Sequence, residues 1–371
     1  MMNPEPLLSI VVVSRNDDHG GNLMHRMQLF VTSWLEQARR HNLDSELVIV
    51  EWNPLPDRPR LAHALKWPKD NGPCAVRIIE VPPEMHRRFK YSDKLPVFQM
   101  IGKNVGIRRA RSRFILATNI DILFSDEIMD FFASRQLMSG HMYRVDRHDV
   151  PSEIPAGVSI DEQLAYCRQN ILRINTRRGT KILQDEGLTA IPPRDHLATL
   201  DRRINRLRQA PENNESAAKL IGDYLLYCFH RLTQMVRLEK RLHTNACGDF
   251  TLMAREDWLA VRGHAEFEMF SMHLDGLLCN AAHYAGAKEL VLKEPMRIYH
   301  IEHAPGSGWV PGIGAKLLDE RLKAAGIPQL TSEEYTVLVR QMHKKCQPLI
   351  FNNERWGLAD ENLPETIITT K

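Results

Sequence analysis

Apolar positions along the chain follow two periods, and their alternation predicts the fold. Leu8 to Ser14 (LSIVVVS) is β-branched and nearly continuous, as in a strand buried on both faces. It breaks into the polar loop Arg15-Asn16-Asp17-Asp18-His19-Gly20-Gly21. Leu23, Met27, Phe30, Val31 and Trp34 recur at helical spacing and predict a helix from Asn22 to His41. Glu46 to Glu51 reads as a second strand, Arg60 to Lys66 as a short helix, and Val76 to Val81 as a third strand stopped by Pro82-Pro83. Tyr91-Ser92-Asp93-Lys94 begins a helix that leads into Ile101 to Phe132. There the apolar Phe114-Ile115-Leu116-Ala117 forms a fourth strand, with Asn119-Ile120-Asp121 where it should stop. Ser125-Asp126-Glu127 reads as the N-cap and acidic first turn of a helix over Glu127 to Leu137. Strands alternating with helices predict a mostly parallel central sheet flanked by helices.

From about Gly140 to Lys240 the sheet pattern is lost. Helices are expected at Asp161–Ile171, Pro193–Gln209 and Ala217–Lys240, the second dense in Arg202, Arg203, Arg206 and Arg208. Strand character resumes at Thr244–Ala254, followed by helices beginning at Arg255 and at Glu266, and by strands at Lys288–Leu292 and Arg297–Ile301. Helices at Ile313–Ala325 and Ser332–Lys345 precede a tail expected to be partly irregular after Gln347. The implied organisation is one half-domain over 1–140, a helical insertion over 141–241, a second half-domain over 242–310, and C-terminal helices with a tail over 311–371.

Composition narrows the function. At 371 residues the chain can bury a large core, and 43% hydrophobic, 26% charged and a net charge of +3 give no strong pull toward nucleic acid. Six cysteines without CxxC pairing read as reduced thiols, which argues against disulfides and structural zinc. Met1 to Pro6 lacks a basic leader, and the apolar run after it is too short to span a membrane, so a protein made in the cytosol is expected. The basic insertion leaves peripheral contact with an anionic membrane or acceptor phosphate open, against the plainer reading of a solvated helix face.

Candidate chemistry gathers where strands end. Ligands of open α/β sheets bind at the carboxyl ends of strands, which singles out Ser14, Arg15 and Asn16 after the first strand and Asn119 and Asp121 after the fourth. The plainer alternative for Asn119 and Asp121 is a turn. Apolar neighbours around Asp275 would raise its proton affinity, which suits a base, although a helix cap or a place in a metal shell accounts for it too. Strand alternation puts His300 and Glu302 on one face, while His303 can turn back from the loop. Gly248 leaves room for close approach to the backbone, Asp249 can accept hydroxyl hydrogen bonds, and Trp309 sits in a loop able to close over a ligand.

Three segments, LLSIVVVSRND, GKNVGIRRARSRFILATNID and GDFTLMAREDWLAVRGH, resemble nucleotide-sugar glycosyltransferases of the GT-A fold, family-two-like with a galactosyltransferase-like acceptor region. The resemblance covers about Leu7–Val150 and Leu242–Trp309. It implies that Ser14, Arg15, Asn16, Glu51, Asn104, Arg108, Asn119 and Asp121 face the donor, Glu51 near its ribose or base. It implies further that Gly248, Asp249 and Trp309 face the acceptor, that Asp275 stands at the catalytic position, and that Asp121 with His300 or His303 holds Mn²⁺ or Mg²⁺. The family's Asp-x-Asp has Asn119 at its first position here, and its Glu-Asp pair has Leu274 before Asp275. The implied activity is transfer of a hexose from a nucleotide-diphosphate sugar to a glycan, lipid-linked or other hydroxyl acceptor, as in polysaccharide biosynthesis. A sugar nucleotidyltransferase would carry a GxGxR loop after the first strand, which this chain lacks, and a non-catalytic carbohydrate-binding protein on the same fold is the other alternative.

Overall fold

The computed structural model describes residues 5–183, 242–303 and 314–369. Strands β1 (Leu8–Ser14), β2 (Ser45–Trp52), β3 (Cys74–Val81) and β4 (Phe114–Thr118) lie side by side and parallel in the order β4-β1-β2-β3. All eight residues of β2 and all five of β4 are buried, the consequence of helices on both faces. Helix Leu23–Arg40 puts its apolar stripe, with Met27, Phe30 and Trp34, into the core beside β1 and β2. Helix Gln99–Arg109 is buried along most of its length, from Met100 to Ile107. Glycines let it approach the sheet: a Cβ on Gly106 would lie 2.5 Å from Val11 Cγ1, and one on Gly102 2.8 Å from Val13 Cγ1.

After β4 the chain changes sheet. Residues 119–121 carry it from the central sheet into β5 (Ile122–Phe124), the edge of a second sheet. Ser125 then caps helix Asp126–Ala133 as expected, its hydroxyl accepting the Ile128 N–H, and the helix ends four residues short of Leu137 because Arg135 turns left-handed. The same change of sheet recurs between β6 (His141–Val145) and β7 (Arg147–Val150).

The stretch from 141 to 182 therefore corrects the expected opening of a helical insertion. It holds β6, β7, helix Ile160–Gln169, and the hairpin β8 (Arg173–Thr176) and β9 (Gly179–Ile182). Polar residues at alternate, core-facing positions, Asp149 on β7 and Arg173 and Asn175 on β8, hid the strand periodicity; all three are buried, and Arg173 and Asn175 both donate to Asp149. The helices expected at Pro193–Gln209 and Ala217–Lys240, with their arginines, lie outside the described residues.

β10 (Phe250–Ala254) inserts antiparallel between β4 and β6, so residues on both sides of segment 185–242 share one sheet. β11 (Lys288–Leu292) extends that sheet beside β6, and β12 (Ile298–Ile301) joins the second sheet between β5 and β7. The central order is thus β11-β6-β10-β4-β1-β2-β3-β13, where β13 (Glu365–Ile368) pairs antiparallel with β3. The tail is more ordered than expected because Arg77 bonds Glu365 and Arg109 donates to the carbonyls of Gly357, Leu358 and Glu361. The expected α/β architecture with a large central sheet and flanking helices is present, the parallel pairing of the central sheet confined to four adjacent strands plus the β6–β11 pair, with β7–β12 parallel in the second sheet.

Candidate functional site

Both changes of sheet deliver polar side chains to one place. Asp121 follows β4, 7% exposed, and its Oδ2 accepts from Arg26 Nη1 at 2.8 Å. From β12 and the residues after it come His300, with Nε2 4.0 Å from the same Oδ2, and His303, with Nε2 at 3.6 Å. Asp121, His300 and His303 each turn one ligating atom into a space where all three lie within 4.8 Å of one another. Asp121 Oδ1 is buried without a hydrogen-bond partner among the described residues. Such an orphaned oxygen beside two imidazoles fits a divalent cation, and mixed nitrogen and oxygen donors suit Mn²⁺.

A buried carboxylate behind His300 sets its ring. Asp149 Oδ1 lies 3.1 Å from His300 Nδ1, so an Nδ1–H donating there leaves the Nε2 lone pair facing Asp121. Burial works to raise the Asp149 pKa, but Arg147, His300 and Arg173 overcome it and hold the carboxyl well below its ordinary range. Glu302, on the same face as His300 as strand alternation requires, pairs with Arg173.

The cation site opens on a cleft of about 390 Å³ lined by Gly20, Gly21, Asn22, Arg26, Ser152, Glu302 and His303. Gly20, Gly21 and Asn22 are consecutive left-handed residues with φ of 73°, 75° and 56°. The loop after β1 is thus beside the site as expected, but different members of it face the cleft. Ser14 bonds Met27 Sδ, Arg15 bonds Asp17 and the carbonyls of Asn53 and Pro96, and Asn16 donates to the Pro59 carbonyl at 2.8 Å.

Several residues expected to face a ligand are instead used up by packing. Asn119 accepts from Gln99 at 2.9 Å and donates to Asp249 Oδ1 at 2.5 Å. Asparagine stands there because the position must donate to a carboxylate, which a second Asp could not do. Asp249 is 4% exposed and also accepts from Arg147 at 2.5 Å, so it is an internal anchor rather than an open hydroxyl acceptor. Gly248 leaves room for the Asp275 carboxylate, not for a sugar: a Cβ there would sit 3.0 Å from Asp275 Oδ2. Glu51, buried at the end of β2, accepts the Leu61 N–H with both oxygens; burial pushes its pKa up to about 7, against that hydrogen bond and with help from Glu80. Asn104 is fully buried in contacts to His264 and Glu266, and Arg108 lies 5.0 Å over the Trp356 ring. Trp309 lies outside the described residues.

Asp275 belongs to the first turn of helix Leu274–Tyr284. Its Oδ2 accepts the Gly248 N–H and its Oδ1 the Gly276 N–H, each at 2.8 Å. Two donors for two oxygens make a poor seat for an asparagine, whose NH₂ would face one of those N–H groups. Beneath it lies Lys103, fully buried, its Nζ donating to the Gly248 carbonyl at 2.6 Å. Burial lowers the Lys103 pKa, opposed by the carboxylates of Asp249, Asp275 and Asp121. Lys103, Arg26, Arg147 and Asp149 were not identified as site residues from the sequence. Arg26 had a legible signal, since it falls at the helical spacing of Leu23, Met27 and Phe30, a charge placed on an apolar stripe.

No family model and no curated protein matches the chain. Among solved structures, GalNAc-T7 with UDP, GalNAc and Mn²⁺ aligns with 96% of this chain at 12% identity and a TM-score of 0.41. This chain spans about half of that protein's length, 53% of it. Among the described residues no helix is long and apolar enough to cross a membrane.

Proposed function

We propose that this chain is a metal-dependent glycosyltransferase of the GT-A type that moves a hexose from a nucleotide-diphosphate sugar to a hydroxyl acceptor, glycan or lipid-linked. The observation that carries the reading is the convergence of Asp121, His300 and His303, the last of which lines a cleft together with the glycine loop after β1. Asp121, His300 and His303 would hold Mn²⁺ or Mg²⁺, and the ion, when bound, neutralises the departing nucleoside diphosphate. The chain's own part is to position: Asp149 orients His300, and Gly20 and Gly21 bare the backbone toward the ligand. Asp275 is the proposed proton acceptor, each oxygen keeping a lone pair beyond its one N–H bond. The proposed setting is the cytoplasm, with peripheral membrane contact through the basic segment around Arg202–Arg208.

The saturation of Asp249 and the double N–H bonding of Asp275 favour one second reading, a carbohydrate-binding protein without turnover. A thermal-shift panel of nucleotide sugars with and without Mn²⁺ tests the first reading. A rise of several degrees with one donor, dependent on Mn²⁺, is expected; no shift with any donor sinks it, and a shift without transfer to any acceptor favours the second.

A further inference from the structure

Arg26 holds the Asp121 oxygen that lies nearest the two imidazoles. Its side chain is 2% exposed, its Nη1 donates to Asp121 Oδ2 at 2.8 Å, and its Nη2 donates to the His19 carbonyl at 2.6 Å and the Gly21 carbonyl at 3.2 Å. With Oδ1 unpartnered among the described residues, His300 and His303 turn their Nε2 atoms to that same Oδ2, so an ion between both imidazoles reaches Oδ2 most directly. A guanidinium and a divalent ion cannot share that oxygen at contact distance without strong repulsion in a buried, low-dielectric setting. Arg26 Nε is meanwhile buried with no hydrogen-bond partner among the described residues, so the side chain is incompletely satisfied where it sits.

We infer that Arg26 guards the Asp121 carboxylate, that the ion displaces it, and that the displaced guanidinium then grips the diphosphate of the ligand. The inference rests on the reading of this site as one for a metal and a nucleoside diphosphate. The cleft adjoins the side chain. Arg26 itself lines the cleft, beside Gly20 and Gly21, and the loop carbonyls that hold Nη2 tether it there. A guanidinium with five donors in a rigid fork is suited to phosphate oxygens. One residue thereby couples the two ligands: the pairing with Asp121 weakens ion binding by the factor to which the closed pair is favoured, and phosphate binding returns that factor.

The test uses the full chain at pH 8, with Mn²⁺ binding followed by electron paramagnetic resonance and uridine or guanosine diphosphate binding by calorimetry at saturating Mn²⁺. Arg26→Gln is expected to bind Mn²⁺ about tenfold more tightly than wild type and the better of the two nucleotides about tenfold more weakly. Arg26→Lys keeps the charge but loses the fork, and is expected to bind Mn²⁺ about threefold more tightly; it decides the matter should Arg26→Gln not fold. Unchanged Mn²⁺ affinity in the folded variant, or tighter Mn²⁺ with unchanged nucleotide affinity, overturns the role given to Arg26 while leaving the metal site standing. A wild-type chain that binds no Mn²⁺ overturns the metal reading itself.

Discussion

Two regions of this molecule carry the same kinds of residue and behave in opposite ways. Around Asn104, the amide donates to the His264 carbonyl and to Glu266 and accepts the His264 N–H, while Glu266 also takes the Gly357 N–H. A Cβ on Gly263 would lie 2.3 Å from Asn104 Oδ1. Around Asp121, among the described residues, an oxygen has no partner, a buried guanidinium is left with an unbonded Nε, two imidazoles face one carboxylate, and a cleft begins. The first region fastens a helix to a loop and to the C-terminal segment. The second has binding capacity left over. Residue type does not separate them, and neither does satisfaction alone, since both His264 ring nitrogens are buried without partners among the described residues; the convergence of ligating atoms beside a cleft does.

That contrast breaks if Asp121→Ala spares Mn²⁺ binding. We expect no measurable Mn²⁺ binding in this variant. The variant is also expected to lose about 3 kcal/mol of stability, because Arg26 is left as a buried charge without its carboxylate. Asp121 thus holds part of the buried packing together through its ion pair with Arg26. Urea denaturation and a Mn²⁺ titration on the same sample check both halves.

Glu51 sharpens the comparison through pH. Its folded pKa, raised to about 7 by burial, exceeds the ordinary carboxyl value, so its contribution is fully present below about pH 4.5 and is lost as pH rises through 7. Glu51→Gln is expected to remove that loss. The variant should gain on wild type by up to about 3 kcal/mol between pH 5 and pH 8 in denaturation midpoints. A constant difference across that range would mean that Glu51 is not neutral in the fold.

Asn104→Ala belongs to the first region and is expected to cost about 2 to 3 kcal/mol, through the buried partners it strands, with Mn²⁺ and nucleotide affinities unchanged in the folded fraction. A weaker nucleotide affinity with an unchanged melting temperature would restore Asn104 to the donor site. The smallest effect is expected at Arg108→Ala, at most about 1 kcal/mol from the lost stacking on Trp356, with ligand binding untouched; nucleotide binding measured on the variant checks it.

Much of the fold could be read from local pattern. β1, β2, β3 and β4, the helix after the glycine loop, and the Ser125 cap follow from apolar periodicity and capping chemistry, which act over a few residues. The second sheet could not be read that way. Its strands β7 and β8 put Asp149, Arg173 and Asn175 inward, so that their alternation looks polar until the partners that neutralise them are brought together. β13 was invisible for a similar reason, since an edge strand of four residues is held by Arg77 and by pairing with a strand nearly three hundred positions earlier.

For the site, the sequence by itself determined that polar residues follow β1, β4 and β12, because strand ends are set locally, and it singled out Asp121, His300 and His303. Only the tertiary structure decided which polar residues remain available. Asn119, Asp249 and Gly248 were removed from the list by partners 130, 102 and 27 positions away. Arg26 was added by a carboxylate 95 positions away. Hydrogen-bond satisfaction is a property of neighbours in space, and a chain position carries no record of them until the sheets close.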